Sequence, residues 1–211
     1  MWQRDNRKDT LAFINFNKKE IQAKIVYYGP GRGGKTTNLE YIHREYRDRI
    51  KTEMITIKTK GDRTLFFDFL PLNVGKIKGY SLKFQLYTVP GQVMYNETRK
   101  LVLRGVDGVV FVADSLAMRK DKNMESLKNL QENLSTYNKN IFKIPLVMQF
   151  NKRDLEENGI PLTSVDVLQK SLNSKLKVPI FEASAIKGTN ILSTLKTIVS
   201  LTVNSISKEI Q

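Results

Sequence analysis

Cysteine is absent from this chain of 211 residues. Its absence removes disulfides, thiolate metal centres and catalytic thiols together, and with them prenyl and palmitoyl attachment. Long hydrophobic runs are absent as well, none approaching the ~20 residues that cross a bilayer. The opening Met1-Trp2-Gln3-Arg4-Asp5-Asn6-Arg7-Lys8 has no apolar core, so no secretory signal is expected. Trp2 stands where myristoylation requires glycine. Acidic residues are scarce: 21 Asp and Glu face 35 Lys and Arg, a formal net charge of +14. Such a field attracts anionic partners, whether phospholipid, nucleic acid or acidic protein. The plainer alternative is a solvated basic surface plus the cations that hold a phosphate ligand. No basic stretch is both long and interleaved with aromatics, so a nucleic-acid role is not supported. With 40% hydrophobic and 27% charged residues, the composition is that of a soluble globular domain, and a cytoplasmic location is expected.

What the chain does contain is alternation. Ala23 to Tyr28, Met54 to Thr59, Leu65 to Leu72, Tyr80 to Tyr87, Val109 to Ala113, Pro145 to Phe150 and Pro179 to Ala183 read as strands. Helical periods run from Lys35 to Tyr46, through Leu127, Leu130 and Leu134, from Val165 to Leu172 and from Ile191 to Val203. Strands interleaved with helices predict one α/β domain with a largely parallel sheet and right-handed crossovers. The domain is expected over 13–205, between a basic flexible arm at 1–12 and a short tail at 206–211.

The first predicted strand runs directly into Gly29-Pro30-Gly31-Arg32-Gly33-Gly34-Lys35-Thr36, a match to G-x-x-x-x-G-K-[ST]. Glycines let the backbone wrap closely and turn its N–H groups inward as a nest for phosphate oxygens. The helix beginning near Lys35 adds the positive end of its dipole. Lys35 is expected to reach the β- and γ-phosphates, and the Thr36 hydroxyl to ligate Mg²⁺. A chance match would arise in only about 1% of chains of this length. Arg32 puts a charge inside the loop, to touch phosphate or to face solvent. The motif specifies a nucleoside triphosphate but not its base.

The base is predicted by Asn151-Lys152-Arg153-Asp154, which follows a strand whose carboxyl end faces the ligand crevice. A carboxylate at Asp154 can accept from N1–H and the exocyclic amine of guanine, a paired donor edge that adenine lacks. Asn151 can brace the loop, and the Lys152 stem can lie along the purine. Ser184-Ala185-Ile186, after the last strand, would admit a backbone contact to the guanine carbonyl. Between these lie two candidate switch segments. In Thr88-Val89-Pro90-Gly91-Gln92, the Gly91 N–H suits a γ-phosphate contact and Gln92 can orient the attacking water. Upstream, Thr64 of Gly61-Asp62-Arg63-Thr64 can complete the magnesium shell, or be simply a strand-edge threonine.

In this order the motifs resemble the small Ras-like GTPases, P-loop proteins with a mostly parallel mixed sheet flanked by helices. The fit is closest to the bacterial MglA family of polarity and gliding-motility switches. It rests on Lys24 to Gly31, Lys35-Thr36-Thr37-Asn38-Leu39, Asp62 to Pro71, Tyr87 to Gln92 and Asn151 to Leu155. The resemblance implies a slow, Mg²⁺-dependent hydrolysis of GTP to GDP and phosphate, with Thr37 among the nucleotide-binding residues. Thr88 replaces the aspartate with which most Ras-like proteins open this segment, which puts a neutral group in the outer magnesium shell. Arg63 resembles an arginine finger supplied in cis. The implied partners are a roadblock-domain MglB-like activating dimer and polarity effectors that the GTP form recruits at a cell pole. A GTP-loaded binding module with negligible turnover is the alternative, and a weak contact with anionic membranes is a third reading of the basic surface.

Overall fold

The computed structural model describes residues 13–15, 17–46, 54–57, 67–77 and 79–209. A short antiparallel hairpin comes first, Phe13–Asn15 (β1) against Glu20–Tyr28 (β2), and the chain then enters the helix Lys35–Glu45 (α1). Ile55–Ile57 (β3), Phe67–Ile77 (β4) and Tyr80–Thr88 (β5) pair in antiparallel sequence. The remainder alternates: Asn96–Leu103 (α2), Gly108–Asp114 (β6), Lys120–Ser135 (α3), Leu146–Asn151 (β7), Val165–Leu168 (α4), Ile180–Glu182 (β8) and Ile191–Glu209 (α5).

The strands form an eight-stranded mixed sheet among the described residues, in the order β3-β4-β5-β2-β6-β7-β8, with β1 added to β2. From β5 to β8 every neighbouring pair is parallel. β6 is buried at all its positions, because helices cover both faces of the central sheet and a β-branched run needs no polar side. β5 instead buries Leu82, Phe84 and Leu86 and leaves Ser81, Lys83 and Gln85 half-buried, so one of its faces is only partly covered. One core lies under α1 and α5, with Leu39, Ile42, Phe84, Leu195 and Ile198. The other lies under α2, α3 and α4, with Val102, Leu103, Phe111, Leu130 and Phe150. This three-layer arrangement gathers the carboxyl ends of β2, β5, β6, β7 and β8 on one edge, where ligands bind in α/β sheets.

The predicted elements are present, with shifted ends. The first strand begins at Glu20, and the closing helix continues to Glu209, beyond the expected Val203. Where one helix was expected from Val165 to Leu172, four α-helical residues pass into a wider π-helical turn over Gln169–Asn173. The sequence pattern did not suggest β1 or α2. No helix among the described residues is long and apolar enough to cross a membrane.

Candidate nucleotide site

The phosphate loop leaves β2 with its backbone pressed against neighbouring chains. A Cβ at Gly29, whose φ is 147°, would lie 2.2 Å from the Val112 carbonyl oxygen on β6. A Cβ at Gly34, at φ 94°, would lie 2.1 Å from Nδ2 of Asn151. No other residue combines that backbone with that approach, which is why glycine stands at both. Lys35 is buried, and its Nζ donates to the carbonyls of Gly29 at 3.2 Å and Pro30 at 2.7 Å, so the amine arches over the loop. Gly33 N–H closes a turn onto Pro30 at 3.3 Å. The first turn of α1 holds no acidic residue, which leaves the positive end of the helix dipole uncompensated at the loop. Thr36 is exposed at that turn, with half-buried Thr37 beside it. Arg32 takes a left-handed φ of 62° and its side chain is exposed.

One side chain joins this loop to the predicted base loop. Asn151, buried at the end of β7, donates from Nδ2 to the Gly33 carbonyl at 2.8 Å and accepts the Ala185 N–H on Oδ1 at 2.8 Å. Lys152 follows at φ 72°, with its Nζ 2.8 Å from Oδ2 of Asp114. Asp154 lies in the next turn, half-buried. Ser184 is buried, its Oγ accepting the Lys187 N–H at 3.1 Å, whereas Ile186 is exposed. The loop packs on α1 through Gly188, at φ 81°, where a Cβ would fall 2.1 Å from ring atoms of Tyr41.

On the other flank, Thr88 is buried at the end of β5. A Cβ at Gly91 would lie 2.2 Å from Cα of Gly31, so the switch segment touches the phosphate loop main chain to main chain. Gln92 is exposed, and a Cβ at Gly31 would come within 3.8 Å of its Cγ. Arg63 and Thr64 lie outside the described residues. No group of three or more His, Cys, Asp or Glu converges on a metal position among the described residues. The hydroxyl of Thr36 suits magnesium nonetheless, because that ion takes hard oxygen donors and completes its shell with water and nucleotide phosphate.

Three site residues were not anticipated. Asp114, buried at the end of β6, accepts the Leu116 N–H on Oδ1 at 3.1 Å, and its Oδ2 pairs with Lys152 and lies 3.6 Å from Nε of Arg119. Arg119 extends Nη2 to the Gly31 carbonyl at 2.6 Å. Arg99, buried on α2, donates from Nη1 to the Gly91 carbonyl at 3.2 Å. For Asp114 a signal existed, a carboxylate ending a β-branched parallel strand. For the two arginines there was none.

Residues 9–202 match the profile of the ADP-ribosylation factor (Arf) family. The chain is 49% identical over 198 residues to the mutual gliding-motility protein MglA of Myxococcus xanthus (strain DK1622), across 94% of this chain and 99% of that one. It is 24% identical over 178 residues to the Ras-related protein RABG3f of Arabidopsis thaliana, across 83% and 79%. To the human ADP-ribosylation factor-like protein 4A it is 29% identical over 144 residues, across 68% and 64%.

Proposed function

Because the chain belongs to the Arf family of Ras-like small GTPases, and within it to the MglA group, we propose that its switch is worked by the residues gathered at this edge of the sheet. As a member of that family it is a small GTPase that binds guanine nucleotide and hydrolyses GTP. In the proposed division of roles, the loop Gly29–Gly34 cradles the phosphates with its N–H groups, helped by Lys35 and the α1 dipole. Asp154 reads the guanine edge, the Lys152 stem flanks the base, and Ser184 to Ile186 close over its carbonyl. Thr36 and Thr64 hold Mg²⁺, which offsets phosphate charge when bound, and Thr88 lies behind them as a neutral neighbour. Gly91 senses the γ-phosphate. Gln92 orients the attacking water, and Arg63 delivers a guanidinium to the phosphoryl group as the bond breaks.

The observation that carries this reading is the double hydrogen bond of Asn151, which makes the phosphate loop and the base loop two walls of one site. An MglB-like dimer is proposed as the activator, acting by positioning Arg63, and the GTP form as the one that recruits polarity effectors. Single-turnover GTP hydrolysis, with and without such a dimer, tests it. Acceleration by the dimer is expected, lost in Arg63→Ala and Gln92→Ala while nucleotide affinity persists. Hydrolysis that the dimer leaves unchanged would refute the stimulated switch in favour of signalling by occupancy.

A further inference from the structure

Arg99 is completely buried, guanidinium included. Burial of a cation is costly unless geometry and hydrogen bonds compensate it. Here three acceptors converge on it: the Tyr28 hydroxyl on Nε at 2.9 Å, Ser126 Oγ on Nη2 at 2.9 Å, and the Gly91 carbonyl on Nη1 at 3.2 Å. The guanidinium carbon also sits 4.3 Å from the centroid of the Tyr28 ring. None of the three acceptors is a carboxylate. A tie between α2 and α3 alone needs no charge, since apolar side chains of equal volume serve as well or better. What an arginine adds is a rigid fork of donors that can grip a main-chain carbonyl.

The group that aims this fork is itself fixed. Tyr28 donates its hydroxyl hydrogen to Asn129 Oδ1 at 2.7 Å and accepts from Arg99 and from Asn133 Nδ2, so its one donor and two acceptor positions are all used. Asn129 and Asn133 also donate to Asn96 Oδ1, each at 2.8 Å, which pins the first residue of α2 onto α3. The gripped carbonyl belongs to the peptide linking Gly91 to Gln92. That peptide is planar, so holding its oxygen also constrains the Gln92 N–H and the Gln92 Cα from which the side chain departs. On the opposite side Gly91 is stopped by Gly31.

We propose that Arg99 is a positioning residue for GTP hydrolysis, clamping the Gly91–Gln92 peptide against the phosphate loop so that the Gln92 side chain faces the γ-phosphate. This rests on the proposed role of Gln92, and the test separates the two. Purified full-length wild type, Gln92→Ala, Arg99→Gln, Arg99→Lys and the double variant Gln92→Ala/Arg99→Gln are compared by fluorescent GDP titration and single-turnover GTP hydrolysis. Arg99→Gln is expected to lower the hydrolysis rate about tenfold or more, as small misplacements of reacting groups do. Its GDP affinity should stay within about twofold of wild type. Arg99→Lys should not rescue the rate, because the charge returns without the fork. The double variant should be no slower than Gln92→Ala, the coupling expected of residues that act through one another.

A wild-type rate in Arg99→Gln, or an equal fold-loss with and without Gln92, would overturn the positioning role. A wild-type rate in Gln92→Ala would refute the Gln92 assignment first, and be read from that variant alone. Should Arg99→Gln fail to fold, Tyr28→Phe/Ser126→Ala removes the two side-chain acceptors that aim the guanidinium and keeps the charge. A fall of about threefold or more is then expected, and an unchanged rate overturns the proposal.

Discussion

On the base side of the phosphate loop, one amide, that of Asn151, makes both cross-links, to Gly33 and to Ala185. On the switch side, contact is made by the bare Cα of Gly91 against Gly31, and the adjoining carbonyl is held by an arginine from α2. The roles proposed for the two walls account for the difference. The base and its neighbouring phosphates are the same in GTP and GDP, so that wall can be fixed by residues of the motif itself. The γ-phosphate is lost on hydrolysis, and the wall proposed to sense it meets the loop at the main chain of two glycines, with its support on α2.

Asn151→Ala should break the fixed wall most severely. It leaves the Gly33 carbonyl and the Ala185 N–H without their partner, at about 1–3 kcal/mol for each buried group. Denaturant unfolding should show a loss of about 3 kcal/mol, and a change below about 1 kcal/mol would mean that something else joins the loops. Next in size, Asp154→Asn should weaken GDP binding about 100-fold, as loss of a charged hydrogen-bond acceptor does. Preference should move toward xanthosine diphosphate, which presents an oxygen where guanine has its amine. Competition titration measures this, and undiminished GDP affinity would refute the base assignment.

Gly91→Ala probes the other wall. Its methyl would collide with Gly31, so single-turnover hydrolysis should fall about tenfold while GDP affinity holds within about twofold. Equal losses in rate and affinity would show that the two walls do not act separately. The smallest effect concerns the far end of α2. There the Lys24 amine donates to the Arg104 carbonyl at 3.1 Å beside the Tyr87 ring, and burial pulls its pKa down to about 8. The unfolded chain therefore holds a proton that the folded one releases, and stability should rise between about pH 8 and 10. Lys24→Met should flatten that rise by about 1 kcal/mol, allowing for partial solvent screening. Tyr27, Tyr28 and Tyr87, whose pKa values burial raises, oppose it only at higher pH. Parallel stability profiles for wild type and Lys24→Met would exclude this lysine as the source.

The phosphate loop could be read from sequence because its backbone demands glycine at Gly29 and Gly34. The central strands were legible because burial on both faces leaves an apolar run such as Val109 to Ala113. α2 was hidden because its inner face mixes polar with apolar residues, burying Thr98 and Arg99 beside Val102 and Leu103 while Leu101 is 56% exposed. Helical periodicity in apolar residues is a weak guide to so short a helix when polar residues share its inner face. α3 conceals its stripe of Asn123, Ser126, Asn129 and Asn133 for the same reason. The partnership of Arg99 with Gly91 needed both faces in three dimensions.

Asp114 serves two cations, Lys152 and Arg119, with a single carboxylate. That one carboxylate cannot neutralise both, and the two cations lie beside the open end of the α1 dipole. A polyanion approaching from solvent meets a funnel of potential before it meets any hydrogen bond. Added salt is therefore expected to slow the arrival of nucleotide more than its departure.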